Sequence, residues 1–150
     1  MNINDIKNHI DNKSRLIGVD IGSKRIGLSI SDENRKIATP LKTINYTNIQ
    51  TLIDELENIV NENNIGAIIF GNPKNMDGTE GASSQSVKDK IKLISKKITI
   101  PIVLWDERLS TIGAFNLSSQ LDINVSKRVK NIDKNAAAFI LQGALDFLNN

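Results

Sequence analysis

The sequence predicts an α/β fold, a mixed five-stranded sheet with helices on both faces. Three observations carry that prediction. Short apolar runs of strand length, Ala67 to Phe70 and Ile102 to Trp105, stop abruptly at Gly71 and Asp106, as buried parallel strands do. The stretches beside them carry apolar residues at helical spacing, so strands and helices alternate. Nearer the N-terminus the period is two residues instead, which marks antiparallel strands.

Taken in order, Leu16 to Ile21 reads as a buried strand, and Ile26, Leu28 and Ile30 alternate with small or polar residues as a second. The linker GSKR between them predicts a hairpin. Ile37 to Ile44 is a weaker third strand, and Pro40 within it belongs on an edge or at a bulge. Ile49, Leu52, Ile53, Leu56, Ile59 and Val60 then line one face of an amphipathic helix opposite Asp54, Glu55, Glu57 and Glu62. Val87, Ile91, Ile94 and Ile98 mark a second helix, rich in Lys on its outer face. Ser110 or Thr111 can cap a helix running through Leu117. Asp133 can cap a last helix carrying Ala137, Ile140, Leu141, Ala144, Leu145 and Leu148. Antiparallel strands followed by alternating helix and strand are the element order of the ribonuclease H-like fold. Residues 14–150 are expected to form one domain, after a polar and disordered tail over residues 1–13.

Composition removes several function classes. The chain has 150 residues and no cysteine, which excludes disulfides and thiolate chemistry. No apolar run approaches the roughly 20 residues of a membrane span, and the N-terminus lacks the apolar core of a signal peptide. A cytoplasmic location is expected. A net charge of +2 is too small to imply a nucleic-acid partner by itself, so the placement of charges matters more than their sum.

The stretch LIGVDIGSKRIGLSIS poses the chemical question, because an acid, Asp20, ends an otherwise apolar strand. A charge there is costly unless paired or bound. In open sheets ligands gather beyond the carboxyl ends of parallel strands. Asp20 ends the first strand and Asp106 the last, so the two are expected near one another if those strands lie close together. Asp133 opens the final helix and can reach the same region. Carboxylates converging there repel one another unless a divalent cation is present, and all-oxygen ligands favour Mg²⁺ or Mn²⁺ over zinc. Each acid also has a structural use: Asp20 in the turn toward Gly22, Asp106 paired with Arg108 or capping a helix, Asp133 as an N-cap. Asp32 and Glu33, in SDEN, read as solvated turn residues.

The loop GNPKNMDGTEG, Gly71 to Gly81, is long for a strand-to-helix connection and leaves the same sheet edge. Mobility is expected over residues 72–83. Asn72 can bond to backbone or to a base, and Lys74 can contact a phosphate. Lys24 and Arg25 flank Asp20, and Lys127, Arg128 and Lys130 flank Asp133, a pattern that suits a phosphodiester backbone. The row Lys88, Lys90, Lys92, Lys96 and Lys97 reads as a solvated helix face. Aromatic residues are few, which argues against base stacking.

The blocks VDIGSKRIGLSISD, FGNPKNMDGTEG, WDERLST and IDKNAAAFILQGALD resemble, in order, the signatures of the YqgF/RuvX family of pre-16S ribosomal RNA nucleases and Holliday junction resolvase-like proteins. The resemblance spans Leu16 to Leu148. It implies a ribonuclease H-like fold, a metal-dependent phosphodiesterase, and a role in trimming the ribosomal RNA precursor. Asp20, Asp106 and Asp133 match the family's acids and would serve as catalytic metal ligands. In a two-metal Mg²⁺ or Mn²⁺ site, Asp20 would bridge both ions and Asp106 and Asp133 would each complete one. Glu107 and Arg108 fall in the third block, with Arg108 a candidate nucleic-acid contact. The same chemistry on branched DNA is the alternative, as is a nucleic-acid-binding assembly factor with weak catalysis. GVDIGSKRIG also resembles the phosphate loop of sugar kinases and actin-like ATPases, but those need a second domain.

Overall fold

Four consecutive residues of the first strand, Leu16 to Val19, are buried, which requires cover on both faces of the sheet. The computed structural model describes residues 3–22, 24–73, 81–106 and 125–149, the last segment with side chains from residue 136 onward. Its elements are β1 (Arg15–Ile21), β2 (Arg25–Ser31), β3 (Ala38–Asn45), α1 (Ile49–Glu62), β4 (Ile65–Asn72), α2 (Ala82–Ser95), β5 (Ile102–Asp106) and α3 (Val125–Leu148). The five strands lie in the order β3-β2-β1-β4-β5. β2 is antiparallel to both β1 and β3, while β4 is parallel to β1 and β5. The sheet is therefore mixed, as the sequence predicts.

Side-chain alternation divides the core into two layers. On one face Ile17, Val19, Ile26, Leu28, Ile68 and Phe70 meet Leu52, Ile53, Leu56 and Ile59 of α1 and Ile94 of α2. On the other, Leu16, Ala67, Ile69 and Val103 meet Ile140, Leu141, Ala144, Leu145 and Leu148 of α3. Helix α1 begins where the Asn48 side chain accepts a hydrogen bond from the Thr51 amide at 2.9 Å. Pro40 sits in β3, an edge strand, where Leu28 pairs with Lys42 but Ser29 pairs with Pro40, so the register slips there. That matches the expected edge position and bulge.

Two expectations need correction. Residues 1–13 are not simply a polar tail, because Ile3–Asn8 form a 3-10 helix. Ile3 and Ile6, spaced by one turn, are buried in the α3-side core. Ile10 packs so closely over Gly66 that a Cβ there would lie 2.6 Å from its Cγ2. Helix α3 does not start at Asp133 either. It starts at Val125, which puts Asp133 well inside the helix and removes its capping role. Val125, Val129 and Ile132 extend the apolar spacing backward through the basic SKRVK stretch, a continuation that its charges obscure. The expected helix from Ser110 or Thr111 lies outside the described residues.

Candidate active site

Asp20 is the penultimate residue of β1 and pairs with Gly27 of β2. Alternation puts it on the face of Gly18, the face that α3 covers. That face is built from small residues for a physical reason. A Cβ on Gly18 would lie 2.3 Å from Ser29 Oγ, 2.7 Å from Leu141 Cβ and 2.8 Å from the Ala137 carbonyl oxygen. The Ser29 hydroxyl donates to that same carbonyl at 2.8 Å, tying β2 to α3 within the core. Gly18 and Ser29 thus allow the helix backbone to approach the sheet and lock it in place.

The direction of α3 follows from its other end. Leu148 packs with Ile3 and Ile6, and the Asn149 side chain donates through Nδ2 to the Arg35 carbonyl at 2.8 Å. Arg35 in turn donates to the Ser14 carbonyl at 2.7 Å, just before β1 begins. The helix therefore runs against β1, and its earlier turns belong to the strand's carboxyl end. Asp133 is one turn before Ala137, so its backbone lies toward the end of β1 that holds Asp20.

Asp106 is the last residue of β5, beside Asn72 at the end of β4. It shares the sheet edge with Asp20, but β4 lies between them, so their strands are about 10 Å apart, twice the usual spacing. The expectation that they are near neighbours is met only along the edge. By alternation Trp105 takes the α3 face, against Gly143, and Asp106 takes the face of Asn72 and α2. Asn72 itself is buried, and its side-chain carbonyl accepts from Ser84 Oγ at 2.5 Å. It braces β4 against α2, a use its place in a turn-rich loop hides.

Of the basic residues, Lys24 and Arg25 are exposed at the β1–β2 turn, where the Gly22 amide donates to the Arg25 carbonyl at 2.9 Å. They lie at the same sheet end as Asp20. Lys127, Arg128 and Lys130 belong to the first turns of α3, with side chains outside the described residues. Lys74, Glu107 and Arg108 also lie outside them, as does the middle of the 72–83 loop on which the mobility expectation falls. Sequence reasoning passed over Gly18 of β1 and Ser29 of β2, although the alternation of Ser29 with Gly27 along β2 is a readable signal of close helix approach.

Two other acids show what a structural aspartate looks like in this chain. Asp32 accepts from the amides of Lys36 at 2.8 Å and Ile37 at 3.0 Å, and the Ile37 bond chiefly holds its carboxyl below the ordinary aspartate value. Asp11 is held down in the same way, first by the Ser14 hydroxyl. Both close turns at the opposite end of the sheet. Among the described residues no group of three or more His, Asp or Glu side chains is gathered for a metal ion. Asp20 offers a carboxylate at this end, and with no Cys in the chain and its one His, His9, in the N-terminal segment, oxygen ligands of this kind suit Mg²⁺ or Mn²⁺.

Comparison with known proteins places this geometry. Residues 14–147 match the RuvX family, described as Holliday junction resolvase. A protein of Pelagibacter ubique named "Putative pre-16S rRNA nuclease" is 68% identical over 99% of this chain and 98% of its own length. A protein of the same name from Clostridium tetani is 40% identical over 91% of this chain and 99% of its own. Among solved structures, Thermus thermophilus RuvC in complex with Holliday junction substrate aligns with a TM-score of 0.52 at 9% identity, covering 90% of this chain and 96% of that one. The yeast mitochondrial Holliday junction resolvase Ydc2 aligns at 0.55 and 12% identity, over 98% and 84%. At such identities the likeness is one of fold.

Proposed function

We propose, for a chain that belongs to the RuvX family, a metal-dependent nuclease that processes ribosomal precursor RNA in the cytoplasm. The observation that carries this reading is the crossing of α3 over Gly18, which turns the Asp133 end of the helix toward the carboxyl end of β1 and Asp20. Asp20, Asp106 and Asp133 are the residues that would hold Mg²⁺ or Mn²⁺, with Asp106 coming from the end of β5, two strands from Asp20 and, by alternation, from the opposite face of the sheet. When bound in a pair, such ions activate water and stabilise the leaving oxygen of an in-line displacement. Lys24 and Arg25 hold the phosphate backbone beside Asp20, and Lys127, Arg128 and Lys130 extend that basic path along the first turns of α3. Lys74 and Arg108, outside the described residues, would add to that path. Ser29 and Gly18 position the helix rather than touch substrate.

Branched DNA is the second reading, favoured by the family's description and by the resolvase fold of the structural neighbours. Purified protein incubated with Mg²⁺ or Mn²⁺ and, in parallel, short single-stranded RNA, ribosomal precursor RNA and a four-way DNA junction separates the two. Preferred cleavage of RNA is expected. Exclusive cleavage of the junction would transfer the function to resolution, and binding of RNA without cleavage would make the chain an assembly factor.

A further inference from the structure

Just beyond Asp20, on the α2 side of the sheet, lies a small cavity of about 150 Å³ lined by Ile21, Gly22, Tyr46, Ser83, Ser86 and Lys90 among others. Tyr46, Ser86 and Lys90 also line an open groove of about 600 Å³ that continues past Asn48, Gln85, Asp89 and Leu93. The two hollows form one path from the carboxyl end of β1 along the exposed side of α2. At their junction Lys90 Nζ sits 5.3 Å from the centre of the Tyr46 ring and donates to Ser86 Oγ at 2.7 Å. The ring is half-buried against the α1–α2 core, and its backbone amide donates to the Lys24 carbonyl at 2.8 Å, so its position is set by the fold.

We infer that this path is a nucleobase subsite for single-stranded RNA, in which a base takes the place of Lys90 over the Tyr46 ring while Lys90 turns to a phosphate, and the side-chain oxygens of Gln85 and Asp89, joined to each other by a Gln85 Nε2 to Asp89 Oδ1 hydrogen bond of 2.9 Å, accept from base amino groups. An aromatic wall, a cation and side-chain acceptors in a hollow of ligand size are what a splayed base requires. An extended strand whose reacting phosphodiester lies at Asp20, on the α3 face, would cross the end of the sheet over Gly22 to enter it on the α2 side. The scarcity of aromatic residues does not count against this reading, because one ring at the exit is enough. The subsite rests on the reading of the Asp20 end as the reacting centre.

Binding is measured by fluorescence anisotropy with a labelled single-stranded RNA octamer in EDTA, so that no cleavage enters the readout. Tyr46→Ala is expected to weaken binding about tenfold, in the range of one lost base stack, and Tyr46→Phe to leave it unchanged. Lys90→Gln is expected to reduce the salt dependence by about one phosphate contact. A set of octamers with one abasic nucleotide at successive positions gives the readout that a merely structural Tyr46 would not move. The parent should lose affinity at one position, and Tyr46→Ala should be indifferent to it. Equal sensitivity to that position in parent and variant, or no sensitive position in the parent, would overturn the subsite, as would failure of the parent to bind the octamer. Loss of the Mg²⁺-dependent cleavage reading with the abasic pattern intact would instead break the nuclease assignment and leave the subsite standing.

Discussion

The two faces of the sheet are built by different rules. Against α1 and α2 the strands present Ile17, Val19, Ile26, Leu28, Ile68 and Phe70, large side chains that keep the helices a full layer away. Against α3, β1 and β2 present Gly18, Gly27 and Ser29, and the helix comes close enough for a hydrogen bond from Ser29 to its Ala137 carbonyl. The first face stabilises chiefly by apolar area, with the Ser84–Asn72 hydrogen bond at its edge. The second gives up area for position, and it is the one that turns the Asp20 and Asp133 ends toward one another. Burial and site geometry are therefore separable in this molecule, and substitutions on the two faces should fail in different ways.

The largest effect is expected from Gly18→Val. Its side chain would meet Ser29, Leu141 and the Ala137 backbone, and overpacking of this kind costs about 3 kcal/mol. The melting temperature should fall and cleavage by the remaining folded protein should fall with it, because the clash displaces α3 from β1. Leu56→Ala on the other face should cost a similar amount, about 3 kcal/mol for a truncated core leucine. Cleavage per folded molecule should survive in that variant. Equal loss of specific activity in both would erase the distinction between the faces.

Ser29→Ala removes one buried hydrogen bond and should cost about 1 kcal/mol. If Ser29 only fills space, its stability loss will come with unchanged activity; a positioning role predicts that activity falls more than stability does. The smallest effect belongs to Asp32, far from the proposed site. Its folded-state pKa is depressed below the ordinary 3.8 by backbone amides. Its contribution is thus fully present above that unfolded value and is lost as pH falls through the lower folded value. Melting temperatures of Asp32→Ala and the parent should differ near neutral pH and converge in strong acid, with cleavage at neutral pH unchanged.

Much of this architecture is legible in the sequence because period and punctuation report it directly. The apolar runs ending at Gly71 and Asp106, the alternation through Ile26, Leu28 and Ile30, and the edge position of Pro40 are each local signals. What escaped was set by contacts between distant segments. Ile3 and Ile6 look isolated among polar neighbours until Leu148 is placed beside them. The early turns of α3 are hidden by Lys127, Arg128 and Lys130, whose charges mask the helical spacing of Val125, Val129 and Ile132. Of the candidate site, Asp20 stands out in the sequence as an acid ending an apolar strand, and the structure places it half-buried at the end of β1. The relation of Asp106 to Asp20 was not legible, because strand order decides that β4 comes between them.

The most direct test of the account is Asp20→Asn, which keeps the size and one acceptor oxygen but removes the charge. If Asp20 holds metal beside the other acids, metal-dependent cleavage should disappear. The melting temperature without Mg²⁺ should equal or exceed the parent's, because one source of carboxylate repulsion is gone, and the rise on adding Mg²⁺ should shrink. An Asp20→Asn protein that melts lower, responds to Mg²⁺ as the parent does and still cleaves RNA at a near-parent rate would contradict it.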